Sequence, residues 1–133
     1  MIEVGNRCFL RLENVTLDDK GKTEGTEFEE QLPERPTTNS NKVQDAIIAS
    51  YDGDSTITLG EGTVLKNFGG MSAVRVTNAT VIMEAGSSII DDLEFDRGGG
   101  FGAVWIQSGR AEMEDGSSIN NVYGRAIYVE EEG

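Results

Sequence analysis

Apolar residues fall on every second position of this chain in short runs, with glycine, asparagine and aspartate between the runs. One set comprises Val74/Val76, Val104/Ile106 and Ile127/Val129, with Leu10/Leu12 and Ile47/Ala49 as its earlier members. A second set is Leu17, Ile57/Leu59, Val81/Met83 and Ala111/Met113; a third is Leu65, Ile89 and Ile119. A period of two puts alternate side chains on opposite faces of an extended strand, so each run predicts a strand with one face turned inward.

The runs recur in order. Ser72 to Asp92 lies without a gap over Gly102 to Val122, 30 residues further on. Arg125-Ala-Ile-Tyr-Val-Glu130 repeats the opening strand, and Ala46-Ile-Ile-Ala49 with Thr56 to Asn67 gives an earlier copy. Phe9 to Leu17 aligns with Ala73 to Val81, and the recurring alanine stands at 46, 73, 103 and 126. Between second and third strands a glycine recurs, Gly62, Gly86 or Gly116, where a sharp turn makes a Cβ costly. Thr63, Ser87 or Ser117 follows it, a small hydroxyl able to bond along a stack. Three short strands and a corner glycine per repeat predict an all-β, three-sided coil whose rungs stack about 4.8 Å apart. The fold class is a parallel β-helix of about four to five three-strand rungs, in one domain spanning 1–133. Its parts are a first rung 1–17, an inserted polar loop 18–45, rungs 46–70, 71–100 and 101–124, and a partial terminal rung 125–133.

The stretch Gly102-Ala-Val-Trp-Ile106, continued by Met113-Glu-Asp-Gly-Ser-Ser-Ile-Asn-Asn121, resembles the right-handed parallel β-helix repeats of bacterial surface and adhesin-like proteins, within the pectate-lyase-like fold superfamily. The resemblance covers residues 46–133 well and 9–17 weakly. It implies a right-handed coil, as parallel crossovers prefer, an extracellular or cell-surface location, and a non-catalytic stalk or ligand-displaying module. Lyases, hydrolases, tailspikes and passive stalks share this architecture, so fold alone does not choose among them.

Charge narrows the partners. With 11 basic and 24 acidic residues the net charge is −13, which opposes binding to nucleic acid or anionic membrane. No apolar run approaches the 18 or so residues of a membrane span. Cys8 is the only cysteine, so no intrachain disulfide forms, and its neighbours Phe9-Leu10 predict a small buried apolar role. Segment 18–45 holds both prolines and few large apolar groups, as expected of a loop protruding from the coil.

The candidate chemistry lies on outward positions. The first strands predict a column Arg11, Ile48, Arg75, Trp105 and Tyr128, in which Arg75, Trp105 and Tyr128 form the candidate ligand-binding face. A guanidinium over an indole gains about 0.5–1 kcal/mol, and the same aromatic strip suits the apolar face of a sugar. Asn67, Asp91 and Asn121 predict a structural ladder at the corner leaving the third strand. Asp91 and Asp92 are the carboxylates a Ca²⁺ ion would use, since hard cations take several oxygens; no other cofactor is expected. Asp52-Gly-Asp54 reads as a turn. An enzyme is not expected, because no histidine exists and Asp91-Asp92 is the sole adjacent aspartate pair within a rung. The enzymatic alternative is a polysaccharide lyase or hydrolase, and a lyase would need Lys66 or Arg97 as proton acceptor. Asn14-Val-Thr16 and Asn78-Ala-Thr80 are glycosylation sequons whose recurrence the repeat would explain by equivalent positions. Gly98-Gly-Gly100 precedes no helix and makes no phosphate cradle. The partners expected are a surface glycan or protein, or other copies end to end. The latter gives the alternative of a self-assembling extracellular fibre, the last rung completed by the next subunit's Ile2 to Leu12.

Overall fold

The computed structural model describes residues 2–18, 46–51, 53–68, 72–92, 102–122 and 125–130, without the side chain of Asp92. The predicted loop beyond Asp18, Asp52, Arg97 and Gly98-Gly-Gly100 lie outside the described residues. All regular structure in those segments is strand. β1 (Ile2–Glu3), β2 (Phe9–Leu12) and β3 (Thr16–Asp18) make a first rung, and β4 (Ile48–Ser50), β5 (Thr56–Leu59) and β6 (Val64–Phe68) a second. β7 (Val74–Thr77), β8 (Thr80–Met83) and β9 (Ser88–Asp92) make a third; β10 (Val104–Gln107), β11 (Arg110–Met113) and β12 (Ser118–Asn120) make a fourth. β13 (Ile127–Glu130) adds the first strand of another.

Equivalent strands stack rather than consecutive ones. The first sheet runs β1-β4-β7-β10-β13, the second β11-β8-β5-β2 and the third β12-β9-β6-β3. Neighbouring strands are parallel throughout. Each rung therefore gives its backbone hydrogen bonds to the rungs above and below, and the protein is a parallel β-helix. The core is the set of inward columns, of which Ile57, Leu59, Leu65, Val74, Val76, Ile89 and Ile106 are 0 % exposed. Each such side chain contributes about 1.5–3 kcal/mol by leaving water. An exposed ion pair gives about 0–1 kcal/mol, so the apolar columns decide stability.

Three corners separate the sheets, and among the described residues each is turned through left-handed positions. Arg7, Asp54, Asn78 and Ser108 (φ 51 to 61°) stand at the first corner, and Asn67, Asp91 and Asn121 (φ 57 to 62°) at the third. At the second are Asn14 (φ 52°) and Gly62, Gly86 and Gly116 (φ 80 to 94°). Asparagine and aspartate tolerate this region better than other non-glycine residues, which explains their frequency between the apolar runs. At the second corner the N–H of Thr63, Ser87 and Ser117 bonds back to the carbonyl of Gly60, Glu84 and Glu114. That is a β-turn with its left-handed residue in third place, where a type II turn needs glycine. The predicted hydroxyl column divides: Thr63 Oγ1 donates to Leu12 O of the rung below at 2.9 Å, whereas Ser87 and Ser117 close their own turns.

The first two rungs correct the sequence alignment. β2 lies in the second sheet, with Leu10 opposite Ile57 and Leu12 opposite Leu59, so Leu10/Leu12 belong to the second set. Leu17 pairs with Leu65 in the third sheet. The first strand of that rung is the short β1. In the second rung Ile48 stands opposite Val74 and Ser50 opposite Val76, so Ile48 and Ser50 take the inward positions expected of Ile47 and Ala49. Ser50 is buried there because its hydroxyl meets that of Ser55 at 2.6 Å. The two sequons lie at different corners, Asn14 at the second and Asn78 at the first, so positional equivalence does not explain both. Cys8 is exposed, contrary to expectation. The places stacked on it hold the buried Ser55 and Ala79, which have a rung on each side.

Candidate functional site

The outward face of the first sheet carries the aromatic residues. Within β10, Val104 and Ile106 point into the core, which sends Trp105 outward, and strand register places it between Arg75 and Tyr128. The three residues named from sequence are thus stacked neighbours. The corrected register sets Ala49, not Ile48, opposite Arg75 and brings Tyr51 in at the end of β4. Arg75 Cζ lies 4.2 Å from the centroid of the Trp105 ring and 5.2 Å from that of Tyr51. Arg125 Cζ lies 4.5 Å from the Tyr128 ring. Trp105 Nε1 donates to Glu130 Oε1 at 3.2 Å, and Thr77 Oγ1 donates to Gln107 Oε1 at 3.4 Å. Gly102 (φ 111°) allows the last strand to approach, since a Cβ there would meet Arg125 O at 3.2 Å and Tyr128 Cβ at 3.4 Å.

Burial sets what this face can do. Trp105 is 7 % exposed and has a guanidinium on its ring, so its flat face is already in use. Tyr51 is 37 % exposed, Tyr128 half-buried and Arg125 exposed. A ligand would meet tyrosine edges and guanidinium N–H groups, with the indole as the spacer that aligns them. Tyr51, Arg125 and Glu130 escaped the sequence reading. A one-residue slip hid Tyr51; the spacing Arg125-Ala-Ile-Tyr128 was visible, but not that residues three apart at a corner would stack.

Of the expected ladder Asn67, Asp91 and Asn121, the third corner pairs Asp91 with Asn121, while Asn67 pairs with Asp18, which the expectation did not include. Asn67 Nδ2 donates to Asp18 Oδ1 at 2.9 Å, and Asn121 Nδ2 donates to Asp91 Oδ1 at 2.7 Å. One oxygen of Asp91 is therefore spent on the neighbouring rung. Among the described residues no group of three or more His, Cys, Asp or Glu side chains converges to hold a metal ion. No helix among them is long and apolar enough to cross a membrane.

Arg11, expected in the aromatic column, instead points outward from the second sheet. Its Nη2 lies 2.7 Å from both Glu13 Oε2 and Glu84 Oε1, and Nη1 donates to Glu84 Oε2 at 3.0 Å. This fork joins the first rung to the third across the second. It passes Gly60, whose added Cβ would lie 2.9 Å from Glu13 Cγ and Leu12 O and 3.2 Å from Arg11 Nη2. The hydrogen bond from Arg11 holds the Glu84 carboxyl below its ordinary value, and the bonds to Glu84 and Glu13 raise the Arg11 guanidinium. No protein-family model, no curated protein and no solved structure matches this chain.

Proposed function

We propose that this protein is a non-catalytic module of an extracellular, adhesin-like surface protein. Its coil acts as a rigid support, and the outward face of the first sheet, with Tyr51, Arg75, Trp105, Arg125 and Tyr128, displays the binding surface for a glycan or a polar surface protein. One observation carries this reading: the stack in which Arg75 lies between Tyr51 and Trp105 while Trp105 bonds to Glu130 beside Tyr128. Rings held by packed neighbours lose little freedom when a ligand arrives, which favours recognition. The covered Trp105 face argues for contact through tyrosine edges and guanidinium N–H groups rather than a sugar laid flat on the indole.

Trp105 is the only tryptophan, so its emission reports on this face alone. Titration with a panel of glycans is expected to find one that shifts that emission. Tyr128→Ala and Arg125→Ala should each weaken it about tenfold, the loss of about 1.4 kcal/mol, with the strand circular dichroism unchanged. A panel that leaves the emission unmoved would refute the glycan reading, and variants that bind as well as the parent would refute the assignment to this face.

A further inference from the structure

Beside the rings of the first sheet runs a second outward column. The register of β7, β10 and β13 sets Thr77, Gln107 and Glu130 in line, two residues on from Arg75, Trp105 and Tyr128. Gln107 and Glu130 are thus direct neighbours on adjacent strands, about 4.8 Å apart, and each side chain has one end already in use. Thr77 Oγ1 donates to Gln107 Oε1 at 3.4 Å, which leaves the two N–H groups of Nε2. Glu130 Oε1 accepts from Trp105 Nε1 at 3.2 Å, which leaves Oε2. Among the described residues neither remaining atom has a partner, and neither is buried. The fold therefore sets an amide donor beside a carboxylate acceptor, at the edge of an aromatic strip.

We propose that this pair selects the ligand: a neutral glycan with two adjacent ring hydroxyls, one accepting from Gln107 Nε2 and the other donating to Glu130 Oε2. The inference rests on the reading of this face as a glycan-binding surface and names the class of glycan. A hydroxyl both donates and accepts, so a vicinal pair satisfies the amide and the carboxylate together. The bond to the ionised acceptor is the stronger of the two. Charge points the same way. Among the described residues the outward first sheet sets Glu3 and Glu130 against Arg75 and Arg125, so the face has no surplus cation in a chain of net charge −13. A sugar carboxylate beside Glu130 would bring two like charges together, and like charges across an interface cost affinity. Trp105 reports the event, because its indole N–H shares the Glu130 carboxylate with the ligand.

Fluorescence titration of the 133-residue chain tests this, with tetrasaccharides of glucose, mannose and galactose and the tetrauronates of the same sugars. At least one neutral tetrasaccharide is expected to shift the Trp105 emission, and its uronate counterpart to bind at least about tenfold more weakly. Glu130→Gln keeps an oxygen for the indole and removes the charge, so it should weaken the neutral ligand and narrow the gap to the uronate. Gln107→Leu should weaken the neutral ligand about tenfold, with the strand circular dichroism unchanged. Emission unmoved by any of these sugars overturns the glycan reading and this inference with it. A uronate that binds as tightly as its neutral counterpart, or neutral binding that survives both Gln107→Leu and Glu130→Gln, overturns the selection by this pair. Loss of that binding in Tyr128→Ala would then show the glycan face itself still standing.

Discussion

The third and fourth rungs have nearly the same wording and different physical lives. Met83 and Met113 stand opposite one another in register, as do Ile89 and Ile119. Met83 is 1 % exposed and Ile89 0 %, whereas Met113 is 42 % exposed and Ile119 only partly buried. Burial is therefore not a property of the repeat. It belongs to the interface that each rung makes with the next, as in a one-dimensional array whose stability is largely a sum of neighbour contacts.

Substitution can break that comparison. Met83→Ala is expected to cost about 2–5 kcal/mol, because it opens a cavity between closed rungs, and Met113→Ala no more than about 0.5 kcal/mol. Urea unfolding of the two variants side by side measures the ratio; equal losses would mean that the rungs do not act as neighbours. Gly109→Ala should fall in between, at about 2 kcal/mol. Its Cβ would run into the Ala79 carbonyl and come within 2.9 Å of Ile106 Cγ2, pressing the fourth rung off the third. Thermal unfolding without a loss would show that this corner can relax.

The smallest effect sharpens the contrast between core and surface. The Arg11 fork holds the Glu84 carboxyl below its ordinary value of 4.5. The stabilisation it brings is therefore complete above that pH and fades as pH falls through the lowered folded value. Arg11→Ala should flatten the acid limb of a stability-against-pH curve and leave neutral stability little changed, since the pair is exposed and screened by salt. An acid limb identical in parent and variant would remove the fork from the account.

What could be read in the sequence follows the same division. The third and fourth rungs were legible because their loops at the first two corners have equal length, so Val74 finds Val104 and Ile89 finds Ile119 without a gap. The first rung was not. Leu10/Leu12 has the same two-residue period as any strand of the coil, and period alone does not say which of three sheets a strand joins. The second rung slipped by one because Ala46-Ile-Ile-Ala49 is apolar at each position and its alternation has no phase; only the pairing of Ile48 with Val74 supplies one. The candidate face inherited both results: Arg75, Trp105 and Tyr128 come from the legible rungs, while Arg11 and Ile48 dropped out with the others and Tyr51 came in. Cys8 was misjudged for a related reason, since apolar neighbours in sequence do not supply a rung overhead.

The three corners also differ in how much chain they carry. The second corner is turned by 13–15, 60–63, 84–87 and 114–117, whereas the third lies between strands separated by 19–47, 69–73, 93–103 and 121–126. Variation in the period of the repeat is thus gathered mainly along one edge of a three-edged rod. For a protein engineer that edge is the open margin of the page. A foreign peptide spliced in after Asn121 would hang from a position where this chain has already accepted segments of very different length, while the same splice at Gly116 would have to displace a stacked turn.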